Sequence, residues 1–279
     1  RALSSASSSL SDSLSVTVAN LIRGLRVLVC TCSSALHAID RLARECRSLG
    51  SPEGALACES LRFEVVILDE AAAMLEPDAV GPLLHGARCL ALVGDPAQLP
   101  PHTRLPSPSY SMSLPERQLD LHTSYGPATA DFFHFHLLTL QYRMPPDVCS
   151  IVTRLSYQSS LETVPQPRRA VHPLVVIPVE GDESCPAGLT SYTNVDEVAA
   201  VKSAVQGLLA SLVPPSSICV ITFYAAQRQA ISVALSHLSV TILVATVDSM
   251  QGRECDVVLL SGIQTNRQGL GFLSDDRRL

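Results

Sequence analysis

The sequence predicts an α/β protein built on parallel sheets and divided into two units. Three observations lead there. Short apolar runs such as Val65-Val66-Ile67-Leu68 and Cys89 to Val93 alternate with segments of helical spacing, the order that yields strands joined by crossover helices. These runs carry no polar interruption, as expected of strands covered on both faces. The chain's 279 residues also exceed one ordinary domain of ~100–200 residues, and six prolines from Pro96 to Pro115 mark a connecting loop between two sets of alternation.

Taken in order, the chain opens with a Ser-rich stretch in which Leu10, Leu14, Leu21 and Leu25 recur at helical spacing, so a helix closing near Gly24 is expected. The run Val27-Leu28-Val29-Cys30 reads as a buried strand. Leu36, Ile39, Leu42, Cys46 and Leu49 form one face of a second helix, with Gly50 as its stop. The strands Val65 to Leu68 and Cys89 to Val93 follow, with a short helix after Pro77 between them. Beyond the loop come a helix around Pro146 to Tyr157, a strand from Leu174 to Val179 and a helix from Val195 to Leu212. A strand Ile218 to Thr222, a helix Ala225 to Leu238, and strands Thr241 to Thr246 and Asp256 to Ser261 complete the series. Asn194 with Glu197 three residues later resembles a capping box. Val198, Val201, Val205 and Leu208 form a core-facing stripe on the helix that follows.

Apolar residues make up 47% and charged residues 16%, enough for real cores. No run approaches the ~18 apolar residues of a membrane span, so no membrane partner is expected, and the Ser-rich opening is no signal peptide. The net charge of −6 argues against coating nucleic acid through a broad basic surface. It permits a narrow groove that touches few phosphates. All basic residues but one are arginine; the single lysine is Lys202. The nine cysteines lack metal or disulfide spacing, which suits reduced thiols in an intracellular protein. His134 and His136 flank Phe135 with no ligand cluster nearby, so a structural role is expected, and Arg168-Arg169 is too short to make a nucleic-acid patch.

Four segments carry chemistry. Asp69-Glu70 follows directly on an apolar strand, at the carboxyl end where open α/β sheets bind ligands. An Asp there can hold Mg²⁺ and the adjacent Glu can orient or deprotonate water, although a solvated acidic pair ending a strand is the plainer alternative. Leu92-Val93-Gly94-Asp95-Pro96-Ala97-Gln98-Leu99-Pro100-Pro101 repeats the arrangement, with Gln98 offering an amide donor and acceptor. In Leu140-Gln141-Tyr142-Arg143-Met144-Pro145, Arg143 offers a guanidinium fork for phosphate and Tyr142 a flat face for a base. The fourth, Thr246-Val247-Asp248-Ser249-Met250-Gln251-Gly252-Arg253-Glu254, again follows a strand.

These segments, in this order, resemble superfamily 1 helicases of the up-frameshift and senataxin-like group, from Val29-Cys30-Thr31-Cys32 to Gly271-Phe272-Leu273 and Arg277-Arg278-Leu279. The resemblance implies two RecA-like domains of the P-loop NTPase class, both incomplete here: the C-terminal part of the first over residues 1–127, with a linker at about 96–127, and the second over 128–279. It implies ATP in the cleft between such domains and single-stranded RNA or DNA across their tops; a monomer inside the cell, in the cytoplasm or nucleus, is expected. Carried over by residue, Asp69 holds Mg²⁺, Glu70 activates the hydrolytic water, and Gln98 senses the γ-phosphate. Tyr142 stacks on adenine, Arg143 contacts the γ-phosphate, Glu254 binds the ribose and Gly252 gives the backbone close approach. Thr31, Thr222 and Ser249 are expected at nucleic-acid contacts.

The chain departs from that pattern in stated places. The phosphate-cradling G-x-x-x-x-G-K-[ST] is absent, because Ala199-Ala200-Val201 precede the only lysine. The family carries this loop upstream and an arginine motif after a stretch like Arg277-Arg278-Leu279, so the chain is expected to be a piece of a longer protein and a poor ATPase alone. Asp69-Glu70 runs into Ala71-Ala72-Ala73 where the family has Gln, Ile263-Gln264 replaces a Val-Arg pair, and Thr222-Phe223-Tyr224 replaces Thr-Pro-Tyr. The acidic pair, Gln98, Arg143 and Glu254 are retained, which favours an active parent helicase. A catalytically inactive nucleic-acid-binding scaffold is the alternative, and an ATPase with no nucleic-acid partner a third.

Overall fold

The computed structural model describes residues 13, 15–103, 108–126, 133–164, 173–185 and 191–263. The expectations placed on Leu10, Leu14, Arg168-Arg169, Gln264 and residues 271–279 lie outside them. The chain divides into two compact units, Arg1–Leu138 and Thr139–Leu279. In both, every strand ladder among the described residues is parallel, so the α/β class with parallel sheets holds.

In the first unit, α1 (residues 15–23) ends in a turn at Gly24. Its buried face holds Ser15 and Ala19, and Leu21 points to solvent, contrary to the leucine pattern. Ser15 is drawn inward by hydrogen bonds to Ser51 and Glu53, and Val18, Ile22 and Leu25 pack beside it. The helix α2 (Cys32–Ser48) is N-capped by Thr31, and the N–H groups of Gly50 and Ser51 return to the carbonyls of Arg47 and Cys46, which closes it where the sequence places its stop. Ile39, Ala43 and Cys46 pack on α3 (Pro52–Glu59), a helix the sequence reading missed, capped by Ser51 with Pro52 in its first turn. Val27 to Cys30 is not a strand: it has no ladder, and Val27 and Val29 are exposed. An apolar run specifies burial only if a neighbouring strand accepts its N–H and C=O groups.

The strands β1 (Val65–Leu68) and β2 (Cys89–Leu92) pair in parallel, Val65 opposite Cys89 and Leu68 opposite Leu92. Val66 and Leu68 are buried with Ala71, Ala79 and Leu114. The other face is open, with Val65 58% and Ile67 67% exposed, so β1 is covered on one side and not two. Between the strands lies α4 (Glu76–Val80), with Pro77 in its first turn. The proline-rich stretch is more than a loop. It holds α5 (Pro108–Ser111) and the start of α6 (Leu114–Tyr125), whose capping box joins Ser113 and Glu116. Pro115 falls in the first turn of α6, where the missing N–H costs nothing. Arg117 of α6 pairs with Glu76 of α4 at 2.8 Å.

In the second unit, β3 (Leu140–Gln141) and β4 (Glu162–Thr163) form a two-residue parallel ladder flanking α7 (Pro146–Ser156). The main elements are α8 (Val195–Ala210), β5 (Ile218–Thr222), α9 (Ala225–Leu235), β6 (Leu243–Thr246) and β7 (Val257–Ser261), with strand order β6-β5-β7. Ile218 and Val220 of the central strand sit in one core with Val201 and Val205 of α8 and Ile231 and Leu235 of α9. Leu174 to Val179 forms no strand; its residues are irregular, and Val175 and Val176 are exposed.

The capping box at α8 is only half formed. Asn194 Oδ1 accepts from the N–H groups of Asp196 and Glu197, but the Glu197 carboxylate turns instead to Ser261 and to the Ile263 N–H at 2.9 Å. The Asn194 N–H donates to buried Gln227 at 3.0 Å, and the Gln227 amide donates to Asn194 O and Ser261. This network clamps the start of α8, the first turns of α9 and the exit of β7 at the carboxyl end of the sheet.

Candidate active site

In the first unit, Asp69 and Glu70 stand where β1 ends, and both are exposed. The Leu68 carbonyl accepts from Val93 N–H at 2.8 Å, and the Val93 carbonyl accepts from Ala71 N–H at 2.8 Å. The chain must therefore reverse within two residues. Glu70 takes the left-handed conformation (φ 54°, ψ 34°) to do so, an uncommon state for a residue with a Cβ, and its N–H donates to Asp69 Oδ1 at 3.1 Å. Such strain is held only where surrounding structure dictates it.

The neighbouring turn supplies that constraint. A Cβ on Gly94 would lie 2.7 Å from Ala72 N and 3.0 Å from Ala71 N, so only glycine lets the Gly94-Asp95 turn press against the backbone after Glu70. Asp95 then arranges Gln98: Oδ1 accepts from Ala97 N–H and Oδ2 from the Gln98 side-chain amide, each at 3.0 Å. Sequence reasoning assigned Asp95 no role. The signal was there, since an Asp three residues before Gln in a Gly-Asp-Pro turn is an Asx-turn arrangement. Thr31 is exposed and serves as the cap of α2, accepting from Ser34 N–H at 3.2 Å and donating to Ser34 Oγ at 2.9 Å.

In the second unit, Arg143 and Glu254, 111 residues apart in sequence, meet at 2.9 Å between Nε and Oε2. Arg143 lies on the loop after β3, and exposed Tyr142 precedes it. Glu254 follows the turn after β6, where buried Met250 anchors the chain and Arg253 N–H returns to Met250 O at 2.9 Å. Gly252 has φ 72°, which a side chain would resist. Ser249 is exposed but engaged: its hydroxyl donates to Thr246 O and accepts from Thr246 N–H, both at 2.9 Å. Thr222 differs from the other expected contacts. It is fully buried, and its Oγ1 has no hydrogen-bond partner.

The carboxylates of the first unit are of a kind that suits Mg²⁺. Asp69 and Glu70 offer hard carboxylate oxygens at an exposed strand end, the ligand type Mg²⁺ takes. Asp69 spends one oxygen contact on its own turn and keeps further acceptor capacity. In the second unit, Arg143 carries a planar guanidinium, a group able to pair with phosphate, and Glu254 a carboxylate, a group able to accept from hydroxyls. Among the described residues no cluster of three or more metal-ligating side chains occurs, and no helix is long and apolar enough to cross a membrane.

The sequence matches AAA-domain families over residues 1–104 and 110–279. It is 31% identical over 259 residues to the regulator of nonsense transcripts 1 homologue of Drosophila melanogaster, covering 84% of this chain and 21% of that protein. It is 30% identical over 282 residues to the ATP-dependent helicase upf1 of Schizosaccharomyces pombe, covering 93% of this chain and 28% of that one. The helicase sen1 of the same yeast is 34% identical over 253 residues, covering 82% and 14% respectively. The chain thus spans under a third of the length of each of these relatives.

Proposed function

The chain belongs to the up-frameshift and senataxin-like group of superfamily 1 helicases, and from that premise we propose that it forms part of an ATP-dependent motor that moves on single-stranded RNA or DNA. The observation that carries the reading is the Arg143–Glu254 contact. It brings a guanidinium and a carboxylate from distant segments together within a single unit.

Each side chain has a definable task. Asp69 holds Mg²⁺, which when bound neutralises phosphate charge and orients the triphosphate. Glu70, held in its left-handed turn, takes the proton from the attacking water. Gln98, fixed by Asp95, presents its amide to the γ-phosphate region. Arg143 offsets charge on the transferred phosphoryl group, Glu254 accepts from the ribose, and Tyr142 stacks on the base. Phosphoryl transfer rests on positioned charge more than on covalent chemistry, so metal, base and arginine are the parts it requires. Exposed Thr31 and Ser249 are the surface contacts proposed for the strand, and few phosphate contacts suit a chain of net charge −6.

The test is ATP hydrolysis by the full native protein that carries this chain, with and without single-stranded RNA. Turnover that rises with RNA supports the motor reading. Turnover indifferent to RNA and to single-stranded DNA defeats it, and RNA binding with no turnover identifies a scaffold instead.

A further inference from the structure

Gln141 takes no part in the chemistry proposed for Arg143 and Tyr142, yet its side-chain amide makes four hydrogen bonds. Its Oε1 accepts from two backbone donors, Arg143 N–H at 2.9 Å and Met144 N–H at 2.7 Å. Its Nε2 donates to Met144 O at 2.8 Å and to Thr163 Oγ1 at 2.7 Å. All four lie within the normal range for such bonds, and they use the amide's two donors and both acceptor lone pairs. The partners also fix which way the amide faces. A reversed amide would set NH₂ against two N–H donors and its oxygen against a carbonyl.

From this geometry we infer that Gln141 is the positioning residue for Arg143, with Thr163 as its brace. This rests on the reading of Arg143 as a phosphate-contacting group. The loop after β3 has no ladder of its own, because the β3–β4 pairing stops at Gln141 and Thr163. Its hydrogen-bonding groups are instead collected by one side chain that reaches forward from the last ladder position. The Thr163 hydroxyl, on the neighbouring strand, holds that side chain against the sheet. Arg143 therefore leaves the strand at a set angle, with its guanidinium at Glu254. An arginine on an unbraced exposed loop would spread over many rotamers and lose most of its value at a phosphate.

The experiment pairs two readouts on the full native protein. The first is amide hydrogen exchange without nucleotide. Gln141→Ala and the milder Thr163→Val should speed exchange at Arg143 and Met144 while leaving α7 protected, and Thr163→Ser should behave as the parent. The second is RNA-stimulated ATP turnover. Gln141→Ala should lower kcat by ~10²-fold, the cost of about 1 Å of misplacement, with little change in KM, and should add nothing in an Arg143→Ala background.

Unchanged exchange at Arg143 and Met144 in Gln141→Ala and Thr163→Val overturns the inference. So does a further fall in turnover when Gln141→Ala is combined with Arg143→Ala, because Gln141 would then act through another group. Unchanged turnover in Arg143→Ala alone, with exchange altered as expected, instead removes the phosphate reading of Arg143, and the functional part of the inference with it.

Discussion

Arg143 Nε lies 2.9 Å from Glu254 Oε2, although both side chains are about two-thirds exposed, at 65% and 69%. An ion pair so open to water contributes only ~0–1 kcal/mol to stability. The pair's value therefore lies in where it holds the guanidinium. Arg143→Ala should leave the denaturation midpoint nearly unchanged while lowering ATP turnover of the full native protein by ~10³-fold or more, as loss of an arginine finger does. Arg143→Lys keeps the charge but not the planar fork and should recover little. Turnover within a few-fold of the parent in Arg143→Ala would remove the residue from the site.

Glu70 separates stability from chemistry in the opposite sense. Its backbone is left-handed at φ 54° and ψ 34°, a conformation that costs a residue with a Cβ ~1–2 kcal/mol. Glu70→Gly removes that strain and should retain or raise stability by up to about 1 kcal/mol, once glycine's greater freedom in the unfolded chain is counted. Both Glu70→Gly and Glu70→Gln should abolish hydrolysis with nucleotide still bound. Equilibrium unfolding and single-turnover assays on the same samples would check the two halves. A destabilised Glu70→Gly would show that the side chain, and not the turn, is what the fold requires there.

Thr222 yields a third test. Its hydroxyl is fully buried without a partner at the end of β5, and an unmet buried polar group costs ~1–3 kcal/mol. Thr222→Val keeps the shape and removes the hydroxyl, so stability should rise by about 1 kcal/mol. RNA affinity, measured by anisotropy, should stay as in the parent if the residue is only a core element. A loss of affinity in the stabilised variant would return Thr222 to the strand contacts that the family resemblance implies.

The parts legible in sequence are those fixed by local chemistry. Ile218 to Thr222 is a strand with the bounds its apolar run suggests, and Val201 and Val205 face the core at helical spacing. The acidic pair stands at a strand end as read, because an apolar strand followed by charge has few other places to stop. Val27 to Cys30 and Leu174 to Val179 fail for one reason: apolar character reports a wish for burial, whereas a strand also needs a partner. Helix α6 was hidden because Pro115 reads as a breaker unless its place in the first turn is known. The Arg143–Glu254 contact, the four bonds of Gln141 and the turn of Glu197 toward β7 all depend on tertiary meetings that no local spacing encodes.

The cysteines set how stability should respond to alkali. Burial, then the adjacent Cys46, pushes the Cys58 thiol up to about 11. Burial, then Cys255, pushes Cys219 up to about 12. An unfolded chain ionises these thiols near ~8.5, so between there and the folded values the unfolded state binds fewer protons. Both thiols therefore favour folding fully below about pH 8.5, and that contribution is lost as pH rises through the folded values of about 11 and about 12. Chemical denaturation from pH 8 to 11 should show a falling midpoint, and the fall should shrink in Cys58→Ala and Cys219→Ala after their own packing losses are subtracted at pH 7. Alkylation at pH 8 should modify exposed Cys30, Cys89 and Cys185 well before Cys58 and Cys219. Rapid labelling of Cys219 in the folded protein would show that the sheet of the second unit opens locally, and the pH argument for that residue would fail with it.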